Sequence, residues 1–167
     1  MSRATVVCLG NDLVGDDGAG GAVYELLLSQ GLEDACLLRV GVGGVALLDL
    51  LDGAECLVVV DATRLGGAPG TLRVLAEPQL PRLCGAPVSA HGVALPEVLA
   101  LGRALFPERM PRTLTLVGIE GECFNELGVG LSPAVGAVIG RAADAVRRLV
   151  SVEIHQGQDA HVTTQEF

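Results

Sequence analysis

The sequence is poor in aromatic residues and in positive charge. Aromatic side chains make up 2% of the 167 residues and tryptophan is absent, although 50% of the residues are hydrophobic. The core must therefore be built mainly from Ala, Val and Leu. The chain carries 11 basic and 20 acidic residues, a formal net charge of −9. Because such a surface repels phosphate groups, nucleic acid is not expected as a partner.

Paired cysteines are also lacking. The five cysteines are odd in number and no two have Cys-x-x-Cys spacing, so neither a disulfide framework nor a thiolate metal site is expected. Cys8, Cys36 and Cys56 lie in apolar runs, and we expect them to behave as small hydrophobic residues. This pattern favours a reducing compartment.

Long apolar segments are absent as well. No run approaches the roughly 18 apolar residues of a membrane-spanning helix. The first apolar run, residues 4–9, is too short for the hydrophobic region of a signal peptide. We therefore expect a cytoplasmic protein with no membrane contact. The length fits one domain, predicted over residues 1–152 and followed by a polar, frayed tail over residues 153–167.

Buried-strand patterns alternate with helical patterns along the chain. Strands are predicted at Thr5–Leu9, Cys36–Val40, Cys56–Val60 and Leu114–Ile119, with an edge strand at Thr71–Leu75. Helices are predicted at Gly18–Leu32, Val45–Leu51, Leu95–Leu105 and from Pro133 to about Val150, with Ser132 as the last N-cap. The alternation predicts an α/β fold whose mostly parallel sheet is covered on both faces.

Acidic residues follow two of the predicted strands. Asp16 and Asp17 come after the first strand, and Asp61 directly follows the third. Since ligands of such sheets bind outside the carboxyl ends of the strands, we expect these carboxylates to converge at one edge. Simpler interpretations exist: Asp16 or Asp17 could cap a helix, and Asp61 could begin a turn.

His91 is the only histidine outside the predicted tail. It lies in a loop of small residues, Ser89–Gly92, and on its own could be an ordinary surface residue. Together with Asp17 and Asp61 it would supply two carboxylates and one imidazole. This donor set suits nickel, zinc or manganese and leaves coordination positions open.

A glycine-rich segment favours another function. Gly41-Val42-Gly43-Gly44-Val45-Ala46 matches G-x-G-x-x-G/A between a predicted strand and a predicted helix, and Asp61 follows Gly41 by 20 positions. This is the spacing of a dinucleotide-binding fingerprint, so a dinucleotide-binding oxidoreductase is one alternative. That interpretation gives Asp17 and His91 no role.

In their order along the chain, these motifs resemble those of the hydrogenase maturation endopeptidases. The likeness runs from about Thr5 to Val150. Its elements are Gly10-Asn11 through Asp16-Asp17 and Gly20, the loop Gly41–Gly44, Asp61-Ala62, Ser89-Ala90-His91, Thr115–Ile119 and Leu131-Ser132-Pro133. The resemblance implies a three-layer α/β/α sandwich with a twisted central sheet. It also implies an endopeptidase that removes the C-terminal extension of a nickel-iron hydrogenase large-subunit precursor after nickel insertion.

The resemblance further implies that Asp17, Asp61 and His91 contact the metal. Nickel is expected to arrive with the precursor rather than to be permanently bound, and a monomer is expected to suffice. Asp16 and Asp17 are the candidate catalytic residues, either of which could activate water in an aspartic-type endopeptidase.

The sequence departs from the family pattern at two positions. The first ligand is often Glu where this chain has Asp17, and the glycine loop often carries Thr where this chain has Val42. Besides the oxidoreductase, two alternatives remain. One is a non-catalytic nickel-binding maturation chaperone, and the other is a peptidase of the same architecture with another substrate.

Overall fold

The computed structural model describes residues 4–41, 44–51, 54–80 and 95–162, without the side chains of 44–46 and 153–162. Within these ranges the strands are Ala4–Leu9 (β1), Ala35–Val40 (β2), Cys56–Thr63 (β3), Leu72–Ala76 (β4) and Thr113–Glu120 (β5). The α-helices are Ala19–Gln30 (α1), Leu95–Leu105 (α2), Pro133–Gly136 (α3) and Ile139–Val162 (α4). The 3-10 helices are Gly15–Gly18, Gly44–Leu50, Glu77–Gln79 and Pro107–Arg109.

The strands form one sheet in the order β2-β1-β3-β5-β4. All neighbouring strands are parallel except β4, which pairs antiparallel with β5 at the edge. Strands β1 and β3 lie at the centre and are buried along their whole length. Their continuous apolar sequences are typical of strands covered on both faces. The predicted mostly parallel sheet is confirmed.

Helices cover both faces of this sheet. Val6 and Val58 point to the face covered by α1 and α4, whereas their chain neighbours Val7 and Val59 point to the other face. That second face is covered by α2 and by the 3-10 helix Gly44–Leu50. Because side chains alternate along a strand, each central strand feeds both cores. The three-layer α/β/α prediction is confirmed.

The last helical region differs from its prediction. Ser132 is the N-cap, as expected, with its Oγ accepting a hydrogen bond of 3.4 Å from the backbone N–H of Val135. However, a short helix, α3, precedes the main helix, α4, which continues to Val162. Part of the segment expected to be a frayed tail is therefore helical. Residues 151–162 contain no proline, and extending a formed helix adds one hydrogen bond per residue.

The cysteines follow their predicted environments only in part. Cys8 and Cys56 are buried, and burial raises the pKa of the Cys8 thiol to about 12. The expectation for Cys36 was wrong, because β2 lies at the edge of the sheet and leaves this side chain exposed. No disulfide joins the cysteines that the structure describes. Among the helices of the described ranges, none has the length and apolar character that crossing a membrane requires.

Candidate functional site

Two glycines hold the segment between β1 and α1 against the end of β1. Gly10 has φ +143°, and a Cβ there would overlap the backbone carbonyl oxygen of Asp17. A Cβ at Gly20 would overlap the carbonyl oxygen of Leu9. The close approach at these two positions brings Asp16 and Asp17 to the carboxyl edge of the sheet.

Asp17 is fixed by the loop that follows β1. Its side chain is buried, and Oδ2 accepts a hydrogen bond of 3.1 Å from the backbone N–H of Asn11. The Oδ1 atom of Asn11 in turn accepts a bond of 3.0 Å from the N–H of Leu13, which stabilises the loop as an Asx turn. The paired Gly10-Asn11 and Asp17 of the sequence motif thus form one local structure.

Asp16 points to a different part of the chain. Its Oδ2 accepts from the backbone N–H groups of Glu122 (2.9 Å) and Cys123 (3.0 Å), and its Oδ1 accepts from the N–H of Ser132 (2.7 Å). Burial alone would raise the pKa of Asp16, but the N–H donors outweigh it and hold the pKa below its ordinary value. Asp16 therefore anchors the loop over residues 121–132.

Asp61 lies within β3, two residues before its end. Its side chain is buried and its register partner on β5 is Gly118. The interpretation of Asp61 as a turn-initiating residue is not supported, because the strand continues to Thr63. The 3-10 helix Gly15–Gly18 contacts β3, so the segment that carries Asp17 packs on the strand that carries Asp61. The two segments are thus in contact, while the convergence of the carboxylates themselves stays a prediction.

His91 lies outside the described residues, as do Val42 and Gly43. In the part of the chain that the structure describes, no group of three His, Cys, Asp or Glu side chains is placed to hold a metal. The trio of Asp17, Asp61 and His91 therefore stays a prediction. The two described members are buried carboxylates on contacting segments, which are suitable oxygen donors for a divalent cation.

A fourth buried carboxylate, Glu120, was missed in the sequence. It ends β5 and is 2% exposed. The N–H of Leu65 donates to both of its oxygens (2.8 and 2.9 Å), the N–H of Gly67 donates at 3.0 Å, and the hydroxyl of Thr63 donates at 3.2 Å. Glu120 thereby holds the loop that follows β3. The carboxyl-edge rule that selected Asp61 could have selected Glu120 as well.

The dinucleotide-binding interpretation does not fit the topology. In that fingerprint the acidic residue ends the strand beside the one that feeds the glycine loop. Here β1 lies between β2, which precedes Gly41, and β3, which carries Asp61. The element that follows is a 3-10 helix of 7 residues, Gly44–Leu50, rather than a full α-helix.

Comparisons with known proteins agree on a single family. Residues 23–149 match the family model described as hydrogenase maturation protease. The chain is 32% identical over 147 residues to the hydrogenase 2 maturation protease of Escherichia coli strain K12, covering 86% of this chain and 88% of that protein. It is 35% identical over 135 residues to the hydrogenase expression/formation protein HoxM of Azotobacter vinelandii, covering 79% of this chain. The match spans 64% of the HoxM length, less than two thirds.

Solved structures share the fold. The hydrogenase maturating endopeptidase HybD from E. coli superimposes with a TM-score of 0.78 at 32% identity, covering 90% of this chain and 93% of that one. The maturation protease HybD from Thermococcus kodakarensis gives a TM-score of 0.73 at 27% identity, covering 89% and 99%.

Proposed function

Because the chain belongs to the hydrogenase maturation protease family, we propose that it is an endopeptidase that removes the C-terminal extension of a nickel-iron hydrogenase large-subunit precursor. The observation that carries this proposal is the packing of the Asp17 segment on the Asp61 strand. It brings two buried carboxylates to the carboxyl edge of the sheet in a chain of this family. We assign the protein to the cytoplasm, because the exposed Cys36 thiol suits a reducing compartment. We also propose that it acts as a monomer.

Nickel enters this proposal as part of the substrate. The precursor carries the ion on its own cysteines, and Asp17, Asp61 and His91 complete its coordination when the precursor docks. Carboxylate and imidazole donors suit a borderline divalent ion of this kind. Binding the ion would position the neighbouring scissile peptide against the protease, which lowers the entropic part of the barrier. Cleavage before nickel insertion would then be slow.

The contacts of the two adjacent acids favour Asp17 over Asp16 as the group that activates water. Both oxygens of Asp16 accept backbone hydrogen bonds, and its lowered pKa makes it a weaker proton acceptor. Asp16 is better assigned to holding the loop 121–132. Asp17 lies on the 3-10 helix that contacts β3, and β3 is the strand that carries the second proposed ligand, Asp61.

The decisive experiment compares nickel-loaded with nickel-free precursor. The purified chain is expected to shorten only the loaded precursor, by the length of its C-terminal extension, as read by mass spectrometry. Equal cleavage of both forms would contradict recognition through nickel. A chaperone would bind the loaded precursor and leave it uncut.

The role of His91 is tested separately. His91→Ala is expected to abolish processing while the far-ultraviolet circular dichroism remains that of the wild type. Full activity of this folded variant would remove His91 from the site. His155→Ala, at a histidine in α4, is the control and should cleave normally.

A further inference from the structure

Two loops meet beside the candidate site and expose large apolar side chains. Val14 and Leu127 form an antiparallel bridge, and the N–H of Gly128 donates a hydrogen bond of 2.9 Å to the carbonyl oxygen of Leu13. Leu13 is 66% exposed and Leu127 is 78% exposed. We call the two paired segments, residues 12–14 and 127–129, the apolar ribbon.

The ribbon is joined to the acidic site on both of its segments. Its first segment ends two residues before Asp16. Its second segment belongs to the loop 121–132, which is held by the three backbone hydrogen bonds to Asp16. The same carboxylate therefore fixes the ribbon relative to the neighbouring Asp17.

The exposure of the ribbon is built into the fold. A leucine at a mobile loop tip can become exposed by chance, but these two belong to segments fixed by hydrogen bonds at Leu13, Asp16 and Ser132. Leu127 lies opposite Val14 on one face of the ribbon, and Leu13, one position before Val14, is exposed on the other face. Single exposed apolar side chains are common, whereas several held on one short fixed structure beside a site are typical of an interaction surface.

We propose that the apolar ribbon is the docking surface for an apolar segment of the hydrogenase precursor. This proposal rests on the proposed function, because the ribbon would contact the precursor at a segment other than its nickel site. Asp17 and Asp61 are 3% and 4% exposed, so they offer little surface for gripping a polypeptide. The ribbon adjoins the Asp17 segment along the chain and offers the apolar area that the two acids lack.

The test replaces both leucines with serine, as Leu13→Ser together with Leu127→Ser. The matched control is Leu28→Ser together with Leu105→Ser, because these leucines are 56% and 58% exposed. They lie toward the C-terminal ends of α1 and α2. Each of these helices leads into a parallel strand, so its C-terminal end lies near the amino ends of the strands, at the edge of the sheet opposite the acidic site. Both double variants change exposed side chains only, so both should fold.

Initial cleavage rates are measured against the concentration of nickel-loaded precursor. The ribbon variant is expected to raise KM by about tenfold or more and to leave kcat within about twofold, since it removes buried apolar contacts and no reacting group. The control variant should keep the wild-type KM. An unchanged KM in the ribbon variant would overturn the docking proposal.

Three outcomes separate this proposal from its alternatives. Wild-type protein that leaves the loaded precursor uncut would overturn the proposed function itself, and the docking proposal with it. Wild-type cleavage with an unchanged KM in the ribbon variant would overturn docking alone. If the wild type also forms a dimer in sedimentation that this variant lacks, the ribbon belongs to self-association instead.

Discussion

The backbone N–H of Ser132 donates a hydrogen bond of 2.7 Å to Oδ1 of Asp16, across 116 positions of sequence. Ser132 is also the N-cap of α3, so this bond joins the beginning of the last helical region to the turn that precedes α1. An acid that the sequence presents as a catalytic candidate thereby acquires an anchoring role. Its replacement should therefore affect the stability of the fold.

Asp16→Asn should destabilise the protein in a pH-dependent way. At pH 7 we expect a loss of about 2–4 kcal/mol in the free energy of unfolding, because charge-assisted bonds from three partly buried backbone N–H groups are weakened. The folded pKa lies below the ordinary 3.8, so this stabilisation is complete above pH 3.8 and is lost as pH falls through the folded value. Urea unfolding at several pH values measures the difference, and a loss independent of pH would contradict the assignment.

Asp17→Asn and Asp61→Asn should each remove processing without unfolding the chain. We expect kcat/KM on nickel-loaded precursor to fall by about 100-fold or more, since an amide neither binds the cation as a charged ligand nor accepts the water proton. Cleavage assays and circular dichroism are measured side by side. Asp49→Asn, at an exposed acid, is the control and should remain active. Wild-type rates in either site variant would exclude that residue.

Glu120→Gln should loosen the loop that follows β3. The amide group would place a donor against backbone N–H groups that now donate to a carboxylate, at an expected cost of about 1–3 kcal/mol. Amide hydrogen exchange should become faster at Leu65 and Gly67. Glu97→Gln changes an exposed acid and should leave both rates unaltered. Unchanged protection at Leu65 in the Glu120 variant would refute the role assigned to Glu120.

Gly20→Ala should be damaging although alanine is the better helix former. The added Cβ would overlap the carbonyl oxygen of Leu9, and we expect a loss of at least about 2 kcal/mol from the strain of separating α1 from β1. Gly140→Ala is the matched control, because nothing lies within 4 Å of the position that its added methyl group would take. Helix propensity predicts a gain of up to about 1 kcal/mol for this control. Thermal unfolding of both variants decides the point.

Cys36 should react with iodoacetamide in the folded protein while Cys8 stays protected. Cys36 is exposed on the edge strand, whereas Cys8 is buried with its pKa raised to about 12, which leaves almost no thiolate at about pH 8. Peptide mass spectrometry before and after denaturation locates the label. Labelling of Cys8 at the rate of Cys36 in native protein would show that β1 opens readily.

Much of the fold could be predicted because its signals are local. The buried strands are short apolar runs, and Ser132-Pro133 marks a helix start through side-chain capping and the fixed φ of proline. Glycines at positions 10 and 20 appear in the sequence as a motif, and the structure gives their reason in two close backbone contacts. The end of α4 was harder, because a polar sequence without proline neither requires nor prevents continuation of a helix.

The sequence by itself determined the alternation of strands and helices, and hence the edge of the sheet at which Asp17 and Asp61 are placed. Only the tertiary structure decided what each acid contacts. In a 3-10 turn, adjacent side chains diverge by about 120°, so Asp16 reaches the loop 121–132 while Asp17 accepts from Asn11. Local patterns cannot encode partners more than 100 positions away, because those contacts form only when the sheet brings the loops together.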